Sequence, residues 1–316
     1  MEETTRFMDM DDGAKLFVRR WSGDKQPRAV VQIVHGMAEH SKRYGRLAKS
    51  LCDADLEVWA DDHRGHGETG NLELNPPELG GTLGHCADRD GFFRVLRDLE
   101  SVSREIRNER PGVPLFLLGH SWGSFLAQAY IEGPSAAYVA GCALSGTTGP
   151  GGQKVAVGAL IASLVATLKG VRSYSHLLYS LADGTYNRSF RPNKTNFDWL
   201  SRDEAEVAAY VADPYCGFPC SVGFYRDLAR GLQVIHTPGA IAHIPTNLPI
   251  LIFSGSADPV GAMGIGVTTL VEAYRSRGIQ DLDFILYPDA RHEIFNETNR
   301  DEVTANFIAW IQKHIG

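Results

Sequence analysis

The segment Gly119–Gly123, which reads Gly-His-Ser-Trp-Gly, constrains the fold of this chain more strongly than any other stretch. It has the pattern G-x-S-x-G and follows the apolar run Pro114–Leu118. Glycines on both sides of a serine allow a strand and a helix to approach closely at a sharp bend. The pattern therefore predicts a strand–turn–helix corner that holds Ser121 in a strained conformation with its hydroxyl exposed.

The pattern needs support from its surroundings, because glycine accounts for 33 of the 316 residues. Random placement gives roughly 0.2 matches in a chain of this composition, so a chance Gly-Ser turn at a helix start is a real alternative. The neighbouring strands and the chain order of the partner residues must decide between the two interpretations.

The composition is that of a soluble globular protein, with 43% hydrophobic and 22% charged residues. A length of 316 residues favours one large domain or a domain with an insertion. The net charge is −7 and no basic block occurs, which argues against a nucleic-acid partner. The first six residues lack an apolar stretch and Val155–Leu168 is too short to span a bilayer, so we expect a cytoplasmic protein.

The cysteines are odd in number and scattered, at Cys52, Cys86, Cys142, Cys216 and Cys220. Without an export signal, free thiols that behave as small buried hydrophobes are expected. Cys216 and Cys220 could lie close together, but a metal site needs further cysteine or histidine ligands at matching spacing, and the sequence offers none. We therefore expect no metal and no organic cofactor.

Apolar runs alternate with helical patterns along most of the chain. Strands are predicted at Lys15–Trp21, Ala29–Val34, Leu56–Ala60, Pro114–Leu118, Tyr138–Leu144, Pro249–Phe253 and Leu282–Tyr287. Helices are predicted at Arg43–Asp53, Asp90–Arg110, Ser124–Glu132, Met263–Ser276 and Thr298–Lys313. This alternation predicts an α/β fold with a mainly parallel, doubly wound sheet, in which ligands bind at the carboxyl ends of the strands.

The alternation breaks between about residues 150 and 245, where apolar helical stretches occur without strands. Val155–Leu168, Tyr174–Leu181 and Ser201–Val211 are interpreted as a helical cap at 150–220, inserted before the acid-bearing strand. Ser221–Val234 returns the chain to the core, which is predicted to consist of 1–149 and 221–316.

A serine nucleophile needs a base, and the base needs an acid that orients it. With this corner the chain order is serine, then acid, then histidine, each at a strand carboxyl end. Asp258 follows the run Pro249–Phe253 and His292 follows Leu282–Tyr287, so both lie where the order requires them.

Each of these assignments has a rival. Asp258, which precedes a proline, could be an ordinary turn residue, and His292 could be an exposed loop residue. Asp289 is a second candidate acid, but it lies too close to His292 in the sequence. His236 and His243 are candidate bases that precede Asp258 and so break the order.

The negative charge that develops on an attacked carbonyl needs two backbone N–H donors. Trp122, directly after Ser121, is expected to supply one. The loop after Ala29–Val34 begins His-Gly-Met, and its glycine lets the backbone turn back toward the serine, so Met37 is expected to supply the other.

Further motifs surround these residues. Residues 35–44 read HGMAEHSKRY, 62–67 read DHRGHG and 86–92 read CADRDGF. With the serine corner and the Asp258 and His292 loops, they resemble the monoacylglycerol lipase and lysophospholipase branch of the α/β hydrolases, a serine aminopeptidase S33-type family. Two positions depart from the family's GHSMGG corner, namely Trp122 and Ser124. By the resemblance, His63, Arg64 and His66 are structural.

The resemblance implies a serine hydrolase that cleaves single-chain lipid esters of the monoacylglycerol or lysophospholipid type. The apolar stretch Val155–Leu168 could form the wall for an acyl chain and touch a membrane surface transiently, or be a helix buried in the cap. A small-ester carboxylesterase and an aminopeptidase-like enzyme are alternatives; the latter would need an acidic cluster such as Asp203, Glu204 and Glu206. A non-catalytic binding protein with this fold is a remote alternative. The oligomeric state cannot be read from the sequence.

Overall fold

Eight strands form one sheet at the centre of the molecule in a computed structural model that describes residues 1–182 and 184–315. The strands are β1 (Glu2–Asp9), β2 (Lys15–Ser22), β3 (Ala29–Val34), β4 (Leu56–Asp62), β5 (Leu115–His120), β6 (Gly141–Ser145), β7 (Ile250–Gly255) and β8 (Leu282–Tyr287). Their order across the sheet is β1-β2-β4-β3-β5-β6-β7-β8. Strand β2 pairs antiparallel with β1 and β4, and all other neighbours are parallel.

The helices connect these strands. They are α1 (Gly45–Asp53), α2 (Gly91–Glu109), α3 (Trp122–Ile131), α4 (Gly152–Lys169), α5 (His176–Ala182), α6 (Glu204–Ala212), α7 (Val222–Ile235), α8 (Pro238–Ile241), α9 (Ile265–Arg277) and α10 (Arg300–His314). Short 3₁₀ helices lie at Ser41–Tyr44, Gly67–Thr69, Pro77–Leu79, Pro134–Tyr138, Tyr186–Phe190 and Ile294–Asn296. None of the helices in the described part of the chain is both long and apolar enough to cross a membrane.

Two hydrophobic clusters cover the two faces of the sheet. Because side chains alternate along a strand, Val30 and Val34 of β3 join the cluster under α2, α3, α7 and α9, whereas Val31 and Ile33 join the one under α1 and α10. Every residue of β3–β7 is buried, which explains why the parallel strands read as nearly continuous apolar runs. The predicted doubly wound α/β sheet is thus confirmed.

Three details differ from the sequence-based expectation. Strand β6 begins at Gly141 because Pro134–Tyr138 forms a 3₁₀ helix. Strand β5 continues to His120, so Ser121 follows the strand directly. Strand β1 has no predicted counterpart, because most of its residues are polar. Almost all of them are exposed, and β1 is held as an edge strand by pairing with β2.

A half-buried carboxyl at the end of α3 makes stability depend on pH. The Oε1 atom of Glu132 is buried with no hydrogen-bond partner among the described residues, and burial raises the pKa of its side chain to about 9. An unfolded chain ionises this group at an ordinary glutamate pKa, so between that pKa and about 9 the folded state binds more protons. Its contribution to the free energy of unfolding therefore falls as the pH rises through this window.

We expect Glu132→Gln to remove this pH dependence, because the amide is neutral at every pH. The free energy of unfolding of the variant minus that of the parent, measured with urea, should be larger at pH 8 than at pH 5 by at least about 1 kcal/mol. Glu272→Gln, at an exposed position of α9, is the control and should give the same difference at both pH values. A Glu132→Gln difference that is equal at both pH values would contradict the assignment.

Candidate active site

The strand–turn–helix corner forms at Ser121, between β5 and α3. The serine has φ 54° and ψ −122°, a strained conformation for a residue with a side chain, and its N–H donates to the Ser145 carbonyl at 2.9 Å. A Cβ atom on Gly119 would lie 2.5 Å from the Gly123 carbonyl oxygen. One on Gly123 would lie 2.0 Å from the Val34 carbonyl oxygen. Both glycines are therefore required by close backbone contacts.

The structure brings Asp258 and His292 together across the ends of β7 and β8. The Nδ1 atom of His292 lies 3.0 Å from both carboxylate oxygens of Asp258, and both side chains are buried. Burial on its own would lower the pKa of His292, but the charge and hydrogen bonds of Asp258 outweigh it and raise the pKa above its usual value. The pair is thus built to stabilise a protonated imidazole.

Ser121 and His292 line the same cavity of about 50 Å³. The rivals lie elsewhere: Asp289 is exposed, and neither His236 nor His243 lines this cavity. Burial of His236 lowers its pKa to about 4, so it is neutral near pH 7. Of the candidate bases, only His292 therefore lines the cavity at the serine, and Asp258 is the candidate acid that contacts this histidine.

The loop after β3 lies against the serine. A Cβ atom on Gly36 would be 3.2 Å from the Ser121 Cβ, and Met37 lines the cavity. Within the described residues, the backbone N–H groups of Met37 and Trp122 donate to no other backbone group. Both are therefore available to a substrate oxygen, but their role in an oxyanion hole stays a prediction.

Two residues of the segment 150–220 hold the loop after β3 in place. Ala38 has a left-handed φ of 52°, which is uncommon for a residue with a side chain. Its carbonyl accepts hydrogen bonds from the Tyr210 hydroxyl and from the Gly217 N–H, both at 2.9 Å. These two bonds offset the conformational cost at Ala38 and fix the direction of the loop that contains Met37.

A buried ion cluster, not anticipated from the sequence, connects this loop to the residue after His292. Glu39 accepts from the Gly36 N–H at 2.6 Å and from Arg43 at 2.6 Å. Arg43 also donates to both carboxylate oxygens of Glu293 at 2.7 Å. Burial would raise the pKa of Glu293, but Arg43 outweighs it and lowers the value to about 2. Glu39 and Arg43 belong to the HGMAEHSKRY motif, which is the feature of the sequence that could have indicated this cluster.

A second and larger cavity, of about 310 Å³, also reaches Ser121. Its wall is mostly apolar and comes from α4, α5 and α7, with Val155, Ala162, Leu178, Leu181, Leu228 and Leu232 among the lining residues. The smaller cavity has polar groups in its wall, including Glu39, His120 and Glu293. Ser121 thus lies at the wall of both cavities.

The Trp122 side chain lies in the wall of the larger cavity and packs on a buried aromatic layer. Its ring stacks on His66 at 5.2 Å between centroids and meets the edges of Phe224 and His63. His63, Arg64 and His66 are fully buried and make protein contacts, such as His63 Nδ1 to Asp61 Oδ2 at 2.6 Å. They line neither cavity at Ser121.

Comparison with known proteins agrees with this geometry. Residues 25–299 match the family model described as serine aminopeptidase, S33. The chain is 31% identical over 305 residues to a monoacylglycerol lipase of Mycolicibacterium smegmatis, covering 96% of this chain and 95% of that one. It is 30% identical over 290 residues to the Homo sapiens monoglyceride lipase, covering 90% and 82%.

The chain belongs to the serine aminopeptidase, S33 family. A thermostable carboxyl esterase from Bacillus coagulans, solved in complex with glycerol, superposes with a TM-score of 0.90 at 26% identity over all of both chains. The fold is that of the α/β hydrolases, and the protein is a carboxylic ester hydrolase.

We expect Tyr210→Phe to reduce kcat about tenfold with a smaller change in KM, because it removes one of the two bonds that hold the Ala38 carbonyl. The loss should be smaller than the roughly 10²–10³ that follows removal of an oxyanion donor itself. Steady-state kinetics with a soluble ester measure it. Among the described residues the hydrogen bond to the Ala38 carbonyl comes from the Tyr210 hydroxyl and not from that of Tyr215, so Tyr215→Phe should leave kcat unchanged. An unaltered kcat in Tyr210→Phe would mean that the loop keeps its shape without the tyrosine.

Proposed function

We propose that this protein hydrolyses single-chain lipid esters, of the monoacylglycerol or lysophospholipid type, through a Ser121–His292–Asp258 triad and an acyl-enzyme. The observation that carries the proposal is the apolar cavity of about 310 Å³ that reaches Ser121. Such a cavity suits the alkyl chain of an acyl group, and the lipase names of the relatives agree with it.

In the proposed reaction, His292 takes the proton of the Ser121 hydroxyl as its oxygen attacks the ester carbonyl. The N–H groups of Met37 and Trp122 bind the resulting oxyanion. Asp258 holds the imidazole through Nδ1 and stabilises its protonated form, as the raised pKa of His292 favours. His292 then protonates the leaving alcohol, and a water molecule repeats the sequence on the acyl-enzyme.

The two cavities suggest how the substrate lies. The acyl chain would occupy the apolar space between α4, α5 and α7, where each buried methylene contributes about 0.8 kcal/mol. The alcohol part would lie toward the smaller cavity, near Glu39 and Glu293. A small alcohol such as glycerol fits this cavity of about 50 Å³ better than a second acyl chain does.

The proposed domain division assigns 150–220 to a helical cap and the remainder to the core. One face of α4 carries Val157, Leu160, Leu164 and Leu168, with exposures from 55% to 75%. Leu177 and Leu181 of α5 are each 54% exposed as well. An apolar surface on the element that covers the cavity supports transient contact of the cap with a lipid surface that supplies the substrate.

The acidic residues suggested for an aminopeptidase activity are engaged elsewhere. Asp203 caps α6 and pairs with Arg300, and Glu206 pairs with Arg46. Glu204 is exposed and also forms an ion pair, and none of the three lines either cavity at Ser121. The contacts therefore favour ester over aminoacyl substrates.

Ser121→Ala should abolish labelling by a fluorophosphonate probe, because only an activated serine reacts with it. Ser124→Ala changes the hydroxyl three residues along α3 and should still be labelled. Labelling is measured by intact mass. Retention of the label in Ser121→Ala would overturn the assignment of the nucleophile, and an unlabelled parent protein would favour the non-catalytic alternative.

Esterase activity should rise with acyl chain length until the cavity is filled, by about fourfold in kcat/KM per methylene. Leu232→Trp narrows the cavity from α7 and should reduce hydrolysis of long-chain monoacylglycerols while sparing short nitrophenyl esters. Val234→Trp, at an exposed position of the same helix, is the matched control. A preference for short esters or aminoacyl amides in the parent enzyme would reject the lipid-ester proposal without affecting the triad.

A further inference from the structure

Three side chains with different metal-binding atoms meet beside the loop after β3. His40, Asp213 and Cys216 each offer one ligand atom, and these atoms all lie within 4.8 Å of one another. The Nε2 atom of His40 is 3.0 Å from Oδ2 of Asp213. Residues 1–182 and 184–315 contain no other group of three or more such side chains at this spacing.

We propose that His40, Asp213 and Cys216 form a binding site for one zinc ion. Imidazole nitrogen, carboxylate oxygen and thiolate sulfur are the three ligand types that Zn²⁺ takes in proteins, at about 2.0–2.3 Å. A water molecule would complete the tetrahedron. None of the three residues lines either cavity at Ser121, so the site is separate from ester cleavage.

Two of the ligands come from one tight turn that is formed without the ion. The Cys216 N–H donates to the Asp213 carbonyl at 3.0 Å, which closes the turn. The Tyr215 N–H donates to Oδ1 of Asp213 at 2.9 Å and leaves Oδ2 directed at His40. A spacing of three residues between ligands is the one used by Cys-x-x-Cys turns in zinc sites. Little ordering therefore remains when the ion binds.

The third ligand is held against this turn by independent contacts. His40 is 6% exposed and its ring meets the edge of the Tyr215 ring at 5.8 Å. The neighbouring Ala38 carbonyl accepts from the Gly217 N–H at 2.9 Å, which joins the two chain segments next to the ligands. The site is thus a preformed junction between the loop after β3 and the segment after α6.

The charges around the site permit a divalent cation. Arg43 is a cation whose charge acts on Cys216, but it is paired with both Glu39 and Glu293, so these three residues sum to one negative charge. On binding, the Cys216 thiol releases its proton to solvent, and neutral His40 carries its proton on Nδ1 so that Nε2 can ligate. Zn²⁺ with one thiolate and one carboxylate is then neutral. The Asp213 side chain is 31% exposed, which gives the ion a path from solvent.

A cobalt titration of the metal-free protein tests the site directly. Co²⁺ bound to a thiolate acquires a charge-transfer absorption band, and we expect that band to saturate at one ion per chain and to disappear when Zn²⁺ is added. Cys216→Ser should abolish the band. Cys220→Ser changes a buried cysteine four residues along the same segment and should retain it.

Zinc affinity, measured by competition with a chromophoric chelator, gives a second readout. His40→Gln removes one ligand and should weaken zinc binding at least about tenfold. Zn²⁺ should raise the Tm of the parent and of Cys220→Ser but not of Cys216→Ser.

Two results would overturn the proposal. The first is a parent protein that binds no Zn²⁺ with a stoichiometry of one. The second is binding that persists unchanged in both Cys216→Ser and His40→Gln, since the ion would then occupy a different place. If Cys216→Ser does not fold, His40→Gln decides alone.

Discussion

The contact between the start of α3 and the end of β3 is the constraint on which the rest of the site depends. At Gly123 the helix approaches the Val34 carbonyl so closely that a methyl group would lie 2.0 Å from its oxygen. This approach forces the positive φ at Ser121 and aims the first amides of α3 at the space above the serine. The partial positive charge of the helix N-terminus thus faces the region where a tetrahedral oxyanion would form.

The loops around this corner are joined by buried charges as well as by apolar packing. Arg43 bridges Glu39 in the loop after β3 to Glu293 in the loop after β8. All three are desolvated, so the arrangement is favourable only while every charge keeps its partner; removal of one partner from a buried pair costs about 3–5 kcal/mol. The two loops are therefore bound to a single geometry, and the distance between Gly36 and His292 is fixed by the same cluster.

The sequence predicted the elements whose pattern is local. Ala29–Val34 and Leu282–Tyr287 match β3 and β8 residue for residue, because each is a nearly continuous apolar run, interrupted only by Gln32 and Asp283. Chain order then led to Asp258 and His292, which the structure brings to 3.0 Å. Strand β1 escaped notice because its pairing with β2, and not its polar sequence, makes it a strand.

Contacts between distant segments could not be predicted in the same way. His40 and Asp213 are separated by 173 positions, and Arg43 and Glu293 by 250, and no periodicity relates them. The proximity of His40 to Cys216 could not be read from spacing for this reason, since the histidine lies in another part of the chain. The first contact depends on how the segment after α6 lies against the loop after β3, and the second on how the loop after β8 does so.

Trp122 belongs both to the corner at Ser121, through its backbone, and to the wall of the apolar cavity, through its side chain. Its backbone amide belongs to the corner directly after the serine, whereas its indole stacks on His66 and Trp122 lines the apolar cavity. The shape of that wall is therefore set partly by the buried rings of His63, His66 and Phe224 that contact the indole, and partly by helices α4, α5 and α7. A change in these rings would move the indole and the amide together, because both belong to the first turn of α3. The shape of the cavity and the position of this predicted oxyanion donor are consequently coupled through a single residue. The helices that cover the cavity are only one of the two determinants of its shape.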